Sequence, residues 1–268
     1  KEGWVKEKDT FDTWFSSGQW PFAVLKSKKG DFEQFYPTDV METAGEIIFF
    51  WVARMIMLGL YATKKIPFKN VYLHGLVLDA KGQKMSKSKG NVINPLQITA
   101  EYGTDALRIA LLAGNTPGTS LSLDTNKIKG YRNFTTKIWN ASRFVLMNLN
   151  DYKPAAKTKL AAKDKKILAD FKKKARQIAK LMDQYRFYSA SEEAYGYFWH
   201  VFCDKIIEES KARLDSKDRA SAQTMLLETL LGCLKILHPF MPFVTEEIYQ
   251  MLPLKQKKKF LMIEDYPS

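Results

Sequence analysis

Val71-Tyr72-Leu73-His74-Gly75-Leu76-Val77-Leu78 is the stretch on which the fold turns. Its length and β-branched content are those of an interior strand. Asp79-Ala80-Lys81-Gly82-Gln83 follows as a turn, with Gly82 supplying backbone freedom. Directly after it comes a polar loop, Lys84-Met85-Ser86-Lys87-Ser88-Lys89-Gly90-Asn91. Upstream, Phe35-Tyr36-Pro37-Thr38-Asp39-Val40 reads as a short strand entering a turn. Ile47 to Leu60 reads as a helix, apolar on nearly every face and so buried between layers. Strand, helix, strand in that order predicts α/β architecture with a parallel sheet.

The pattern changes near residues 115–126, beyond which helical spacing runs almost without interruption. Phe134, Ile138, Ala141, Val145 and Leu149 form one apolar stripe, ended by Asp151-Tyr152-Lys153-Pro154. Phe171, Ala175, Ile178, Met182 and Tyr185 form a second. Ala190, Ala194, Tyr197 and Val201 form a third, and Ala222, Leu226, Leu230, Cys233 and Leu237 a fourth. His238-Pro239-Phe240-Met241-Pro242 breaks the periodicity, because proline lacks an N–H and clashes in a helix interior. Thr245-Glu246-Glu247 opens one more short helix. The fold class expected is therefore α/β followed by an all-α helical bundle.

The 268 residues suffice for two domains, and 46% hydrophobic with 13% aromatic content is that of a folded chain. The 42 basic residues exceed the 29 acidic ones by 13. Such a surplus favours a polyanion, either nucleic acid or an anionic membrane surface; a lysine-rich protein with no such partner is the plain alternative. No run of 18 apolar residues occurs, so no membrane-spanning helix is expected. The charged first residues are unlike a secretory signal, and without an initial Met the sequence is expected to start inside a longer protein. The two cysteines, Cys203 and Cys233, stand in apolar helical surroundings and outside any CxxC pair, which predicts buried, reduced thiols and a reducing compartment. His200, Cys203 and His238 have no spacing suited to a nucleophile or a metal centre, so no protein-bound metal is expected.

The loop carries the chemistry. Three ammonium groups and two hydroxyls at the carboxyl edge of a sheet suit a triphosphate, whose charge shifts towards the leaving pyrophosphate when phosphorus is attacked. Lys-rich stretches at 163–174 and 255–259 are solvated faces or tails, or contacts for nucleic-acid phosphates.

Lys84-Met85-Ser86-Lys87-Ser88 matches the second signature of the class I aminoacyl-tRNA synthetases, and the flanking His74–Gln83 run is similar to the valine, isoleucine and leucine subgroup. Asp12-Thr13-Trp14-Phe15-Ser16-Ser17, Ile47–Met55, Arg132-Asn133-Phe134 and Lys137-Ile138-Trp139-Asn140-Ala141 resemble the valine-specific members. Tyr197-Phe198-Trp199, Phe202-Cys203-Asp204 and Leu237–Phe243 resemble the family's anticodon-binding domain. The resemblance implies a partial Rossmann-like nucleotide-binding half with its stem-contact region over 1–115, then a helical anticodon-binding domain over 116–268. It implies ligation of valine to tRNA(Val) with ATP and accompanying Mg²⁺, in a monomeric, cytoplasmic enzyme with no membrane attachment. Lys84 and Lys87 would stabilise the phosphates, Ser86 and Ser88 would add hydrogen bonds, and His74, Gly75 and Glu46 would line the adenosine. Trp14 and Trp51 would wall the amino-acid pocket, where a rigid aromatic excludes larger side chains. The family's usual Asp is Glu46 here, preceded by Ala44 where glycine is usual. The class's His-x-Gly-His motif does not occur in the sequence, which implies a fragment, inactive alone, with the editing insertion lying before residue 1 and the C-terminal coiled coil absent. A non-catalytic tRNA-binding module and an isoleucine-specific member are the alternatives. The Trp-Phe-Ser-Ser run and the lack of clustered C-terminal cysteines stand against the latter.

Overall fold

Asp12 starts the first helix: its carboxylate accepts the Phe15 N–H at 3.0 Å, and α1 runs Thr13–Ala23. In this computed structural model, which describes residues 3, 5–153 and 159–267, the chain folds as two units. One unit is Lys1–Leu76 with Thr116–Ser120, and the other is Val77–Asn115 with Leu121–Ser268.

In the first unit, α2 (Asp31–Phe35) closes with the Tyr36 N–H bonded to the Phe32 carbonyl. The strand expected at 35–40 therefore begins later, past Pro37: β1 is Thr38–Ala44. A 3₁₀ turn (Gly45–Ile47) and a π-helical stretch (Ile48–Ala53) lead into α3 (Arg54–Thr63), and the chain returns as β2 (Phe68–His74). The two strands are parallel, as expected, in register from Thr38 opposite Phe68 to Ala44 opposite His74. Met41, Val52, Met55 and Phe68 make the core, with Trp51 and Ile56 packed on it. Gly18 lets α1 lie close to α3, since a Cβ there would stand 2.7 Å from Leu58 Cδ1.

Two further expectations fail. The stretch 71–78 is not one strand: β2 stops at His74, and Val77–Leu78 forms a separate strand, β3, in the other unit. The break follows from Gly75, which lies so close to the Thr119 backbone that a Cβ would overlap its carbonyl. The Gly118 N–H bonds to the Leu73 carbonyl at 2.9 Å and ties the same segment to the strand's end. The apolar helix is likewise not buried between layers. Strands β1 and β2 and helix α1 cover only part of it, leaving Phe49 74% and Met57 69% exposed. By length and composition Gly45–Thr63 and Arg219–Leu237 are each apolar enough to cross a membrane, but the second is 78% buried within its own unit against 17% for the first.

In the second unit, α4 (Pro95–Tyr102) is capped by Asn94, whose side chain accepts the Leu96 N–H, and α5 (Thr104–Leu112) follows. Strand β4 (Leu121–Ser122) pairs parallel with β3. Asp124 then caps α6 (Thr125–Met147) through the Lys127 N–H at 2.7 Å. The first stripe, Phe134 to Leu149, is buried throughout as expected. The expected stop at 151–154 comes earlier, at Met147, and Pro154 lies outside the described residues. In α7 (Ala162–Asp183) Phe171, Ala175 and Ile178 are buried and Met182 is half-buried, while Tyr185 falls beyond the helix in a left-handed conformation.

The third stripe spans α8 (Phe187–Gly196) and a π-helical stretch, Tyr197–Ile207, that continues as α9 (Glu208–Leu214). The fourth lies wholly buried in α10 (Arg219–Leu237), the central helix of the bundle core. The last helix, α11 (Pro242–Met251), starts three residues before Thr245 because Pro242 suits the first turn, where its missing N–H costs nothing. Asp105 of α5 caps it, accepting the Val244 N–H at 2.7 Å and the Phe243 N–H at 3.3 Å. Cys203 and Cys233 are buried free thiols, and burial pushes the Cys203 thiol up to about 12.

Asp164, fully buried in α7, receives both Arg213 guanidinium nitrogens at 2.7 Å and the Ser221 hydroxyl. Burial pushes this carboxyl up, but the Arg213 and Ser221 hydrogen bonds outweigh it and hold it below its ordinary value. Arg213→Ala leaves a buried carboxylate uncompensated and should cost about 3–5 kcal/mol, read by urea unfolding at neutral pH. Because the folded carboxyl titrates below its unfolded value of about 3.9, its contribution is whole above about pH 4 and is lost as pH falls through the folded value. The difference between unsubstituted chain and variant should shrink over that acid range. Gly75→Ala should destabilise the first unit by about 1–3 kcal/mol, seen as earlier loss of amide protection in β1 and β2 while α10 is unaffected.

Candidate functional site

The loop after β3 is built by one carboxylate and one amide. Leu78 forms an antiparallel bridge with Lys84, enclosing a tight turn. Asp79 Oδ1 accepts the N–H groups of Lys81 at 2.9 Å and Gln83 at 2.8 Å, and its carbonyl accepts the Gly82 N–H at 2.9 Å. Gly82 has φ +73°, the left-handed conformation that its lack of a Cβ permits. The second carboxylate oxygen accepts the Asn91 Nδ2 at 2.8 Å. Asn91 in turn accepts the Ser86 N–H at 2.9 Å and donates to the Lys84 carbonyl at 3.3 Å. The Asn91 amide first, then the backbone N–H groups, holds the Asp79 carboxyl below its ordinary range, so it is an anion at neutral pH.

Within this frame Lys87–Lys89 makes a single 3₁₀ turn, closed by Gly90 at φ +65°. Ser86 and Ser88 share a hydrogen bond at 3.2 Å. Lys84, Lys87 and Lys89 are exposed, as is Ser88, and Ser86 is half-buried. Five sequence-predicted groups thus stand together on one exposed loop whose base is fixed. Asp at the first position of a turn with Gly at the fourth is a signal that would have found Asp79. Nothing in the sequence marked Asn91.

In the other unit, the shared register ends β1 and β2 level with one another, bringing Ala44, Glu46 just beyond it, and His74-Gly75 to one carboxyl edge. His74 Nε2 lies 3.3 Å from Glu42 Oε1, and its Nδ1 lies 2.9 Å from the Gly75 carbonyl. Gly75 has a packing role as well, set by Thr119. Trp51 donates its indole N–H to the Ser17 carbonyl at 3.2 Å and packs on the small core, so its ring is fixed. Trp14 stacks over Phe50 with centroids 5.7 Å apart, and with Phe11, Asp12, Phe15, Arg54 and Met57 it helps line a cavity of about 330 Å³. Trp51 is not part of that lining.

In the bundle, α7 presents Lys165, Lys166, Lys172, Lys173, Arg176 and Lys180 to solvent, while Lys163 and Lys174 pair with Glu209 and Glu193. Trp139 and Phe243 are the exposed aromatic rings of α6 and α11. His200, Cys203 and His238 do not assemble: His200 faces Asp204 at 3.4 Å, and His238 bonds Thr245 at 2.8 Å. Among the described residues, no group of three or more His, Cys, Asp or Glu is placed to hold a metal.

A family model described as tRNA synthetases class I (I, L, M and V) matches residues 1–124, and one described as anticodon-binding domain of tRNA ligase matches residues 164–268. The valine–tRNA ligase of Syntrophotalea carbinolica is 48% identical over 92% of this chain and 29% of its own length. That of Symbiobacterium thermophilum is 46% identical over 93% and 28% respectively. The chain therefore spans less than a third of the length of these relatives. Among solved structures, a leucyl enzyme from Agrobacterium radiobacter K84 in a ternary complex with tRNA and LeuAMS has the same fold, with a TM-score of 0.76 at 18% identity, over 94% of this chain and 33% of that one. Mycobacterium tuberculosis methionyl-tRNA synthetase bound by methionyl-adenylate gives 0.67 at 21% identity, over 82% and 45%. With a fixed lysine–serine loop, a level pair of parallel strands and a helical bundle matched in order along its length, the chain belongs to the class I tRNA synthetases of the isoleucine, leucine, methionine and valine group.

Proposed function

We propose that the protein carrying this chain is a valine–tRNA ligase that activates valine with ATP and transfers it to the terminal adenosine of tRNA(Val). The observation that carries the reading is the 48% identity to a valine–tRNA ligase along 92% of the chain, together with the Lys84–Ser88 loop standing exposed on a fixed base. Functionally, residues 1–115 then belong to the catalytic domain with its stem-contact region and residues 116–268 to the anticodon-binding domain, a division that follows the chemistry and not the compact units.

In activation, a valine carboxylate oxygen attacks the α-phosphorus of ATP, and the bond to the bridging oxygen breaks to release pyrophosphate. Negative charge grows on the leaving group as that bond lengthens. Lys87 and Lys84 neutralise it, and Ser86 and Ser88 supply hydrogen bonds that tighten in the same state. Mg²⁺ arrives with ATP as its counter-ion and is part of the substrate. Glu46, beyond the end of β1, accepts ribose hydroxyls, and His74 and Gly75 line the adenine at the end of β2. Trp14 and Trp51 bound the valine side chain. The 2′-hydroxyl of the tRNA adenosine then attacks the valyl carbonyl and AMP leaves. The lysine-rich α7 face supplies phosphate contacts, which give affinity more than selectivity. Function as a monomer in the cytoplasm, away from membranes, completes this reading, and the two buried thiols suit a reducing compartment.

Valine-dependent ATP–pyrophosphate exchange by the full-length protein tests it, with isoleucine as the competing substrate. Lys87→Ala should lower kcat roughly 10²–10³-fold while KM for valine stays within twofold. Exchange driven by isoleucine in preference to valine would replace this assignment. The 268-residue chain by itself should show no exchange, having no His-x-Gly-His motif. It should still bind a tRNA(Val) transcript, with affinity falling steeply between 50 and 200 mM salt as phosphate contacts are screened.

A further inference from the structure

The lysine loop is shaped by two side chains outside its signature pentapeptide. Asp79 is the first residue past β3, and Asn91 is the last residue of the loop; their side chains meet at 2.8 Å. Asp79 Oδ1 is occupied by the Lys81 and Gln83 N–H groups, so only Oδ2 is turned towards Asn91. Asn91 reaches the two sides of the loop at once, accepting from the Ser86 N–H and donating to the Lys84 carbonyl. A relay of hydrogen bonds therefore runs from the strand's end through Asp79 and Asn91 to Ser86, in the middle of Lys84–Ser88.

The one regular piece of backbone in the loop, Lys87–Lys89, is a single turn. A turn that short has no cooperative stability of its own. Beside the Leu78–Lys84 bridge, the relay fixes the backbone that carries the lysines. We propose that Asp79 and Asn91 are positioning residues for the activation step, a clasp that holds the backbone carrying Lys84 and Lys87 in the shape that meets the charge developing on the leaving pyrophosphate. The proposal rests on the phosphate-binding reading of Lys84–Ser88. Neither residue touches substrate. Their effect is on where the ammonium groups stand, and a loss of roughly 1 Å in placement costs on the order of 10²-fold in rate.

Chemistry of the pair supplies a specific test. Asp79→Asn keeps an oxygen for the Lys81 and Gln83 N–H groups but turns an NH₂ group towards the Asn91 NH₂, donor against donor. Asn91→Asp sets two carboxylates face to face. The exchange Asp79→Asn with Asn91→Asp restores one donor and one acceptor: the new amide donates to the new carboxylate, which still accepts the Ser86 N–H. Only the 3.3 Å contact to the Lys84 carbonyl is lost.

In the full-length protein each single substitution should lower kcat for pyrophosphate exchange roughly 10- to 100-fold, with KM for valine unchanged. The exchanged pair should recover to within about threefold of the original. Hydrogen exchange at the Ser86 amide, measured on the 268-residue chain, should speed up at least tenfold in either single variant and return in the exchanged pair. Amides of α10 should be unaffected, which separates local opening from unfolding. Single variants within twofold of the original in kcat, or an exchanged pair no better than the two losses combined, would overturn the clasp. Lys87→Ala, run alongside, separates the two ideas. If it abolishes exchange while the clasp variants are silent, only the clasp fails; if it too is silent, the phosphate-binding role of the loop fails first.

Discussion

Everything placed at the carboxyl edge of the first unit depends on the register between β1 and β2. Six backbone pairings, from Thr38 with Phe68 to Ala44 with His74, make both strands finish together. A parallel pair needs a crossover connection, supplied here by the residues from Gly45 to Thr63. A slip of one residue would send either Met41 or Phe68 to the wrong face and open the core of the unit. The placement of Glu46 and of His74-Gly75 at one carboxyl edge thus follows from the burial of four apolar side chains.

The lysine loop is held differently. No sheet or long helix contains it, so side-chain hydrogen bonds do the work that backbone ladders do elsewhere. Asp79 serves as an acceptor for three separate donors, and an ionised carboxylate suits that task because charge-assisted hydrogen bonds are shorter and stronger. The same economy appears in the bundle. Asp124 caps α6, Asp105 caps α11 from another helix, and Asp164 joins α7 to Arg213 of α9 and Ser221 of α10. These four carboxylates, Asp79, Asp105, Asp124 and Asp164, organise backbone ends and helix junctions.

The bundle's stripes were legible because a 3.6-residue repeat leaves a strong trace in apolar residues. Phe134 through Leu149 and Ala222 through Leu237 are buried as their spacing demands. Boundaries were less legible. The end of α6 at Met147 and the start of α11 at Pro242 are set by which backbone groups find partners, and those partners are distant in sequence. Asp105, which caps α11, lies well over a hundred residues before it.

By itself the sequence determined the class of each half, the parallel strands, the helical repeats and the loop Lys84–Ser88, since each rests on local periodicity or contiguous residues. Only the tertiary structure decided that 71–78 breaks at Gly75, because the break is imposed by a backbone segment more than 40 residues away at Thr119. It alone decided that Ile47–Leu60 is left largely unburied, for an apolar helix does not record in its own residues how much of it neighbouring strands and helices cover. And it alone revealed Asn91: an asparagine in a polar loop is common, and what distinguishes this one is that a strand's end brings Asp79 within 2.8 Å of it.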